Sequence, residues 1–550
     1  MVTRPLSSLC DITRQKLLVI RVADVSESRA STDELVTRNP ACRLEEISVG
    51  AHLLKYSDDI LRRVKRLRGR FDQVVIDHPL EWLEDLNAYF SALRRVAHND
   101  SSIVVCSRNN NHWGNYRRLL LGEDAQPGVS LNKVNASLQA SGWNLIKVKP
   151  VPLSEKPPNK EQLEHLKALT KSLSAASSRS ELELTTEAWI ISAHAGSRRP
   201  LLHVVGLGLP KKAGVTEARI DHPLAALASM PHVRATWGAG RIQIPKSYKP
   251  GILILHRQFM NNPKLNEQIE ALIQKGWLVV ADMDDDPYHW QAYVTSDFYA
   301  FRAVHAVTVS TVGLKTMMLK WNPNVEVLPN ALLALPKTRV TKSMSTPLRV
   351  FFGAINRTDE WREILNGMAP YADSLKDLIH FVIVHDRKAF DLIPEGFSSE
   401  FHPTLDHERY LAVMQTCDLA ILPLFDTPFN RLKSNLKLIE SCACGAVPLF
   451  SPTVYGETPA HKKVGFQVDE LEGWGEMLLR LAKDLSQIEK KRKAGYDYVK
   501  RQGMQAQAVK KRYAFYEQIW LNREQLEVER QIRLREMVGR VGLEPTTKGL

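Results

Sequence analysis

Short apolar runs alternate with longer amphipathic stretches along most of the chain. The runs fall at residues 16–23 (KLLVIRVA), 71–76, 102–106 and 188–193. They recur at 201–210, 251–255, 277–281, 306–311 and 325–330, and again at 348–353, 378–385, 418–424 and 446–451. Between them, residues 83–97, 264–274 and 430–443 repeat apolar positions on a 3.6-residue period, the spacing of a helix with one buried face. Continuous apolar strands alternating with helices predict parallel sheets covered on both faces, an α/β organisation. Residues 153–182 hold one helical pattern between polar flanks and form an insertion, and residues 470–535 are helical in pattern throughout.

The period separates chemistry most clearly over 430–443. Leu432, Leu436, Ile439 and Ala443 form an apolar stripe, and Lys433, Lys437 and Glu440, at i, i+4 and i+7, form a charged stripe beside it. Gly445 stands where a helix-terminating glycine is expected, between the strands 418–424 and 446–451. Parallel strand–helix–strand units carry ligands at the carboxyl ends of their strands. Two lysines and a carboxylate there suit a diphosphate and a ribose. The ammonium groups and the helix amides face phosphate oxygens, while Glu440 accepts from sugar hydroxyls. The plainer alternative is a surface pair of Lys437 with Glu440.

Strand 277–281 delivers a second concentration of charge, Asp282, Asp284, Asp285 and Asp286, four aspartates in five residues. Alternate carboxylates suit Mg²⁺ or Mn²⁺ held against a nucleotide diphosphate. One of them could instead take a proton from a sugar hydroxyl, or the group could cap the helix that Pro287 opens. His256 ends strand 251–255 and is a candidate for acceptor recognition or proton transfer, against a satisfied loop histidine. The GLGLP at 206–210 lacks the remaining spacing of a dinucleotide fingerprint.

A length of 550 residues predicts several domains, and 44% hydrophobic with 25% charged residues is the balance of folded protein. No apolar run approaches the roughly 20 residues that span a bilayer, and the first residues show no secretory apolar region. The six cysteines are scattered without zinc or disulfide spacing, so a reducing cytoplasm is expected. The net charge of +13 suits nucleic acid, an anionic membrane face or a phosphorylated substrate. Much of the basic excess lies in 483–511, where aromatics that would stack on bases are sparse, so nucleic acid is not an expected partner.

Across residues 15–195, the segments FDQVVIDHPLEWLEDL, SSIVVCSRNNNHWGNYRRLLLGE, ASGWNLIKV and AWIISA resemble, in order, the class I S-adenosylmethionine methyltransferases. That family's first strand feeds a glycine-rich turn against the cofactor. This chain has RVADVSESRAS there and no glycine before Gly50, and residues with a Cβ do not readily take such positions. The resemblance therefore implies a degenerate Rossmann domain that binds no S-adenosylmethionine.

From about residue 200 to 520 the chain resembles the GT-B glycosyltransferases of group 1, the family 4-like kind. The resemblance rests on K-S-x-x-K-x-x-E at 433–440, the A-C-G-x-x-P that follows, VYGET, GFQV, DMDDDP, VTVST, VLPN and CDLAILPL. It implies that Glu440 binds the donor ribose and that Lys433 and Lys437, with Ser434 in the same motif, meet the diphosphate. Arg357 in GAINRTDEW resembles the family's phosphate-contacting arginine loop. Many members carry a second glutamate eight residues before the first, where this chain has Leu432. Asp284, Asp285, Asp286 and His256, at strand ends facing the cleft, are the catalytic candidates on the acceptor side.

The expected organisation is a methyltransferase-like Rossmann domain at 1–197, a GT-B acceptor-side domain at 198–335, a donor-binding domain at 336–480, helices at 481–535 and an irregular tail at 536–550. A hinge is expected within 331–347. The VGRVGLEPTTKGL of the tail breaks the helical pattern and resembles a tRNA gene read as coding sequence. The resemblance implies a cytoplasmic enzyme that moves a sugar from a nucleotide-sugar donor to a saccharide or lipid-linked acceptor in cell-surface polysaccharide synthesis. It would need no metal and no cofactor, and its basic helices would rest on the anionic inner face of the cell membrane. The alternatives are a bifunctional methyltransferase–glycosyltransferase and a non-catalytic scaffold that keeps the fold.

Overall fold

The structure, a computed structural model, describes residues 16–22, 42–49, 57–125, 128–152, 158–173, 181–196, 201–210, 215–336 and 347–541, with positions 36 and 39. The chain divides into two compact units, Met1–Leu201 with Ser229–His232, and Leu202–Ala228 with Val233–Leu550.

The first unit holds a six-stranded sheet of β1 (Lys16–Val22), β2 (Arg43–Val49), β3 (Phe71–Asp77), β4 (Ala97–Arg108), β5 (Asn144–Pro152) and β6 (Thr186–His194) in the order β2-β1-β3-β4-β6-β5. The first four strands are parallel, and β6 runs antiparallel to both β4 and β5. Leu17 to Ile20 and Val74 to Ile76 are fully buried, as expected of strands covered on both faces. The helix Leu86–Arg95 begins where Asp85 accepts from the Ala88 amide, and it buries Tyr89, Phe90 and Leu93. The turn RVADVSESRAS, apart from Arg21 and Val22, lies outside the described residues.

The second unit holds two six-stranded sheets, both wholly parallel. Strands β7 (Leu202–Gly208), β8 (Val233–Ala239), β9 (Ile252–His256), β10 (Leu278–Met283), β11 (Ala306–Val309) and β12 (Val325–Val327) lie in the order β12-β11-β10-β9-β7-β8. Strands β13 (Leu348–Gly353), β14 (Ile379–Val384), β15 (Ser398–His402), β16 (Leu419–Leu422), β17 (Val447–Phe450) and β18 (Phe466–Gln467) lie in the order β15-β14-β13-β16-β17-β18. Both are doubly wound, Rossmann-like sheets. Each order reverses once, between β7 and β9 and between β13 and β16, and such a reversal opens a crevice at the strands' carboxyl ends.

The glycines of GLGLP serve packing. A Cβ on Gly206 would lie 2.4 Å from Leu224 Cδ1, and one on Gly208 would lie 2.6 Å from Thr216 Cγ2. They let the helical segment after β7 close on its strand. That segment opens with a π-helical turn, Glu217–Asp221, which carries Arg219 inward. Arg219 is fully buried, forks onto both oxygens of Asp282 at 2.6 and 2.9 Å, and reaches the Leu328 carbonyl and Asn330.

The late helices return to the second sheet. Between Gly473–Lys483 and Arg523–Val541, the helix Leu485–Gln502 packs on Leu436–Cys444, with Gly495 against Cys442. Beyond it, Leu332 and Gln505 pair backbones, Lys511 pairs with Glu326, and the buried Arg530 bridges Glu527 and Glu270. Several cations of the late basic stretch are thus engaged internally, Arg492 with Asp418 and Gly445 among them. The expected irregular tail begins later than position 536, because the helix runs through Val541. REMVGRV holds no proline, and a single glycine costs a helix only about 1 kcal/mol; residues 542–550 lie outside the described residues.

Removing Arg219 strands a buried carboxylate. Arg219→Met is expected to destabilise the second unit by about 3–5 kcal/mol, seen as a lower midpoint for its transition in urea with the first unit's transition unmoved.

Candidate active site

The reversal between β13 and β16 opens into a cavity of about 570 Å³, within the range of small-ligand sites. Its walls come from the turns that leave β9, β10, β13 and β14, from the end of β16, and from the helix Leu436–Cys444. Three of those turns hold a non-glycine residue in the left-handed region, Arg257 (φ 49°), Asn356 (φ 58°) and His385 (φ 79°). Strained backbone of this kind persists where the surrounding structure enforces it, commonly at functional sites.

The expected helix over 430–443 is interrupted. Thr427 caps a short turn at Pro428–Arg431, positions 432–435 leave helical pairing, and the longer helix starts at Leu436. Lys433 therefore stands before the helix, not on its face. The cause is a set of bonds to the second sheet's edge, made by the Leu432 carbonyl and the Lys433 and Ser434 side chains, which compete with helical pairing. Gly445 ends the helix in the left-handed conformation (φ 78°).

The structure brings Arg357, Lys433, Ser434, Lys437 and Glu440 together on the cavity with Asp284 and Asp285. Lys437 Nζ donates to the Gly353 carbonyl at 2.5 Å and the Tyr410 hydroxyl at 3.2 Å. Burial pushes its pKa down, opposed by Glu440. Arg357 bonds Glu360 and, at 2.9 Å, Asn430 Oδ1. Lys433 reaches Asp285, and Ser434 accepts from Asn330 at 2.9 Å. Three cations around one opening suit a diphosphate, whose two charged groups would offset their mutual repulsion.

Glu440 is buried, with 7% of its side chain exposed, and it accepts from His407 Nε2 at 2.8 Å through Oε1. Burial alone would lower the His407 pKa, but the bond and charge of Glu440 outweigh it, so His407 sits above its ordinary 6.5. His385 lines the opposite side, its ring stacked on Tyr410 at 5.3 Å. Burial, with Lys437 adding, pushes its pKa down to about 4, so it is a neutral imidazole at physiological pH. His407, Tyr410 and His385 were not legible as site residues, because no local pattern marks them. Their one signal is position: His385 follows the end of β14, and His407 and Tyr410 lie on the helix His407–Gln415 that follows β15.

The acidic cluster divides by depth. Asp282 is saturated, bonded to Arg219, to His256 Nδ1 at 2.9 Å and to Thr308 at 2.6 Å. Its carboxylate is a structural anchor with no lone pair turned to the cavity for a cation. Asp286 caps the turn Pro287–His289 by accepting from the Tyr288 amide at 3.0 Å. His256 is fully buried beneath the wall, with Nε2 lacking a hydrogen-bond partner. Neither Asp286 nor His256 lines the cavity, so the expected cleft-facing set contracts to Asp284 and Asp285. The reason is geometric: Met283 ends the strand, and only the next two carboxylates stand on the rim. Burial alone would raise the Asp284 pKa, but Arg257 at 2.6 Å, with His256 and Arg219 beyond it, together outweigh burial and the pKa is lowered. Among the described residues no group of three or more His, Cys, Asp or Glu side chains is arranged to hold a metal ion.

Leu432, standing where the resemblance places a second glutamate, packs on the second sheet's core and touches Gly313. It does not line the cavity.

No family model matches the chain, and no curated protein matches it. Solved structures similar to it include TarM (12% identity, 48% of this chain, 54% of that one, TM-score 0.36). Others are WaaG, a glycosyltransferase involved in lipopolysaccharide biosynthesis (13%, 58% and 98%, TM-score 0.39), and Anabaena HepE in complex with UDP-glucose (12%, 56% and 98%, TM-score 0.40). The match spans about half the length of TarM.

The raised His407 pKa gives a pH dependence. Protonated His407 stabilises the fold fully below about pH 6.5, and that contribution is lost as pH rises through the higher folded pKa. The melting temperature of wild type minus that of His407→Asn is therefore expected to be largest near pH 6 and to shrink towards pH 9. A difference that grows with pH would contradict the pairing.

Proposed function

We propose that the chain is a nucleotide-sugar-dependent glycosyltransferase whose donor lies in the β13/β16 crevice. The carrying observation is the convergence of Arg357, Lys433, Lys437 and Glu440 on that cavity at a strand-order reversal. The cations hold the diphosphate and Glu440 accepts from the ribose through the oxygen His407 leaves free. The bond from the sugar's anomeric carbon to the β-phosphate oxygen breaks, its electron pair stays on the departing nucleoside diphosphate, and the three cations stabilise the growing charge. An acceptor hydroxyl forms the new bond and gives up its proton. Asp284, paired with Arg257, suits hydrogen-bonding to an acceptor hydroxyl, and Asp285, its neighbour on the cavity, takes the proton.

The acceptor is a saccharide or lipid-linked saccharide, in keeping with a cell-surface polysaccharide role, with exposed lysines of the late helices resting on an anionic membrane face. No described helix is long and apolar enough to cross a membrane. The first unit reads as a methyltransferase-like shell. Near the end of β1, Arg21 is salt-bridged to Glu46 midway along β2 and acts electrostatically on Asp77 of β3, and no glycine stands before Gly50. The scaffold alternative is weaker because four donor-suited side chains still converge.

A thermal-shift panel of UDP, GDP and S-adenosylmethionine tests this. UDP or GDP at a hundredfold its Kd adds about 2.7 kcal/mol, in EDTA as well as in magnesium, and S-adenosylmethionine adds nothing. Glu440→Gln is expected to weaken the binding about 10- to 100-fold, the worth of a hydrogen bond to a charged group. Binding by no nucleotide would overturn the proposal.

A further inference from the structure

Three consecutive residues in front of the helix Leu436–Cys444 each bond a different part of the second sheet's edge. The Leu432 carbonyl accepts from Thr311 Oγ1 at 3.0 Å, Lys433 Nζ donates to both oxygens of Asp285 at 2.8 and 2.9 Å, and Ser434 Oγ accepts from Asn330. The outer two bonds are neutral and hold the turn. The middle one is an ion pair across the cavity, and it engages a cation that the donor diphosphate requires.

On the glycosyltransferase reading, we propose that Asp285 competes with the donor diphosphate for Lys433, so that donor binding releases the Asp285 carboxylate to the acceptor. Lys433 is partly enclosed, against the Phe429 ring at 4.2 Å. Burial lowers its pKa, while Asp285 opposes that and Arg357 and Arg257 add to it. An enclosed ammonium between two guanidinium groups is costly without an anion. Asp285 supplies that anion in the empty site, and the diphosphate supplies it in the loaded one.

The released carboxylate is not stranded. Arg257 lies 3.5 Å from Asp285, bonded to Asp284 and resting against Trp290. The exchange moves the negative charge of Asp285 from the donor side of the cavity to the acceptor side. Linkage makes the coupling reciprocal: an acceptor that engages Asp285 favours donor binding. After transfer, Asp285 recaptures Lys433 as the nucleoside diphosphate leaves.

Titration calorimetry with UDP and GDP tests the competition. Asp285→Asn is expected to bind the nucleotide that wild type binds about fivefold more tightly, since it removes a negative charge from beside the diphosphate and frees Lys433. Asp359→Asn, an equal charge change at an exposed position two residues after Arg357 and outside the cavity lining, is expected to leave affinity unchanged. In a Lys433→Gln background the gain from Asp285→Asn should fall to about twofold or less. If Asp285→Asn fails to fold, Asp285→Ser makes the same charge change. A residue with a merely structural role would weaken binding when altered, so unchanged or weaker affinity overturns the inference. A gain that persists in full without Lys433 also overturns it. Failure of wild type to bind either nucleotide would instead overturn the glycosyltransferase reading.

Discussion

Where β13 and β16 lie side by side, the chain leaves the sheet towards opposite sides, and no connection covers the strand ends between them. The chemistry of the second unit depends on that constraint. The crevice exposes the Gly353 carbonyl and the start of the helix Leu436–Cys444, and Lys437 joins the two. Parallel pairing aligns these ends: within each sheet every strand finishes at one edge, and residues more than a hundred positions apart, such as Asp285 and Lys433, meet there.

Burial sorts the charges that reach this edge. Asp282 lies inside strand β10, short of the rim, and becomes an anchor for Arg219, His256 and Thr308. Asp284 and Asp285 stand on the rim, where their partners, Arg257 and Lys433, sit on the cavity wall. Glu440 is buried, and His407 donates to its Oε1 alone of the two oxygens. Each carboxylate's role follows from how many donors already surround it.

Much of the fold was legible because parallel strands buried on both faces leave continuous apolar runs, and Gly445 marked its helix end. The break at 432–435 was not legible. Leu432 fits the apolar stripe of a continuous helix, and the bonds that pull the turn out of helical pairing come from Thr311, Asp285 and Asn330, distant in sequence. The same holds for His407 and Tyr410, which approach Glu440 and Lys437 from another helix. Periodicity also could not tell a rim aspartate from a saturated one. The β10 segment reads identically whether Arg219 reaches it or not, and Arg219 does so through a π-helical turn that no residue pattern announces.

The most direct test of the central claim is hydrogen–deuterium exchange of the full chain with and without saturating UDP or GDP. Added protection is expected in two segments only, 353–357 and 432–440, which together frame the β13/β16 crevice. Protection centred instead on the β7/β9 reversal, or on the first unit's sheet, would contradict it.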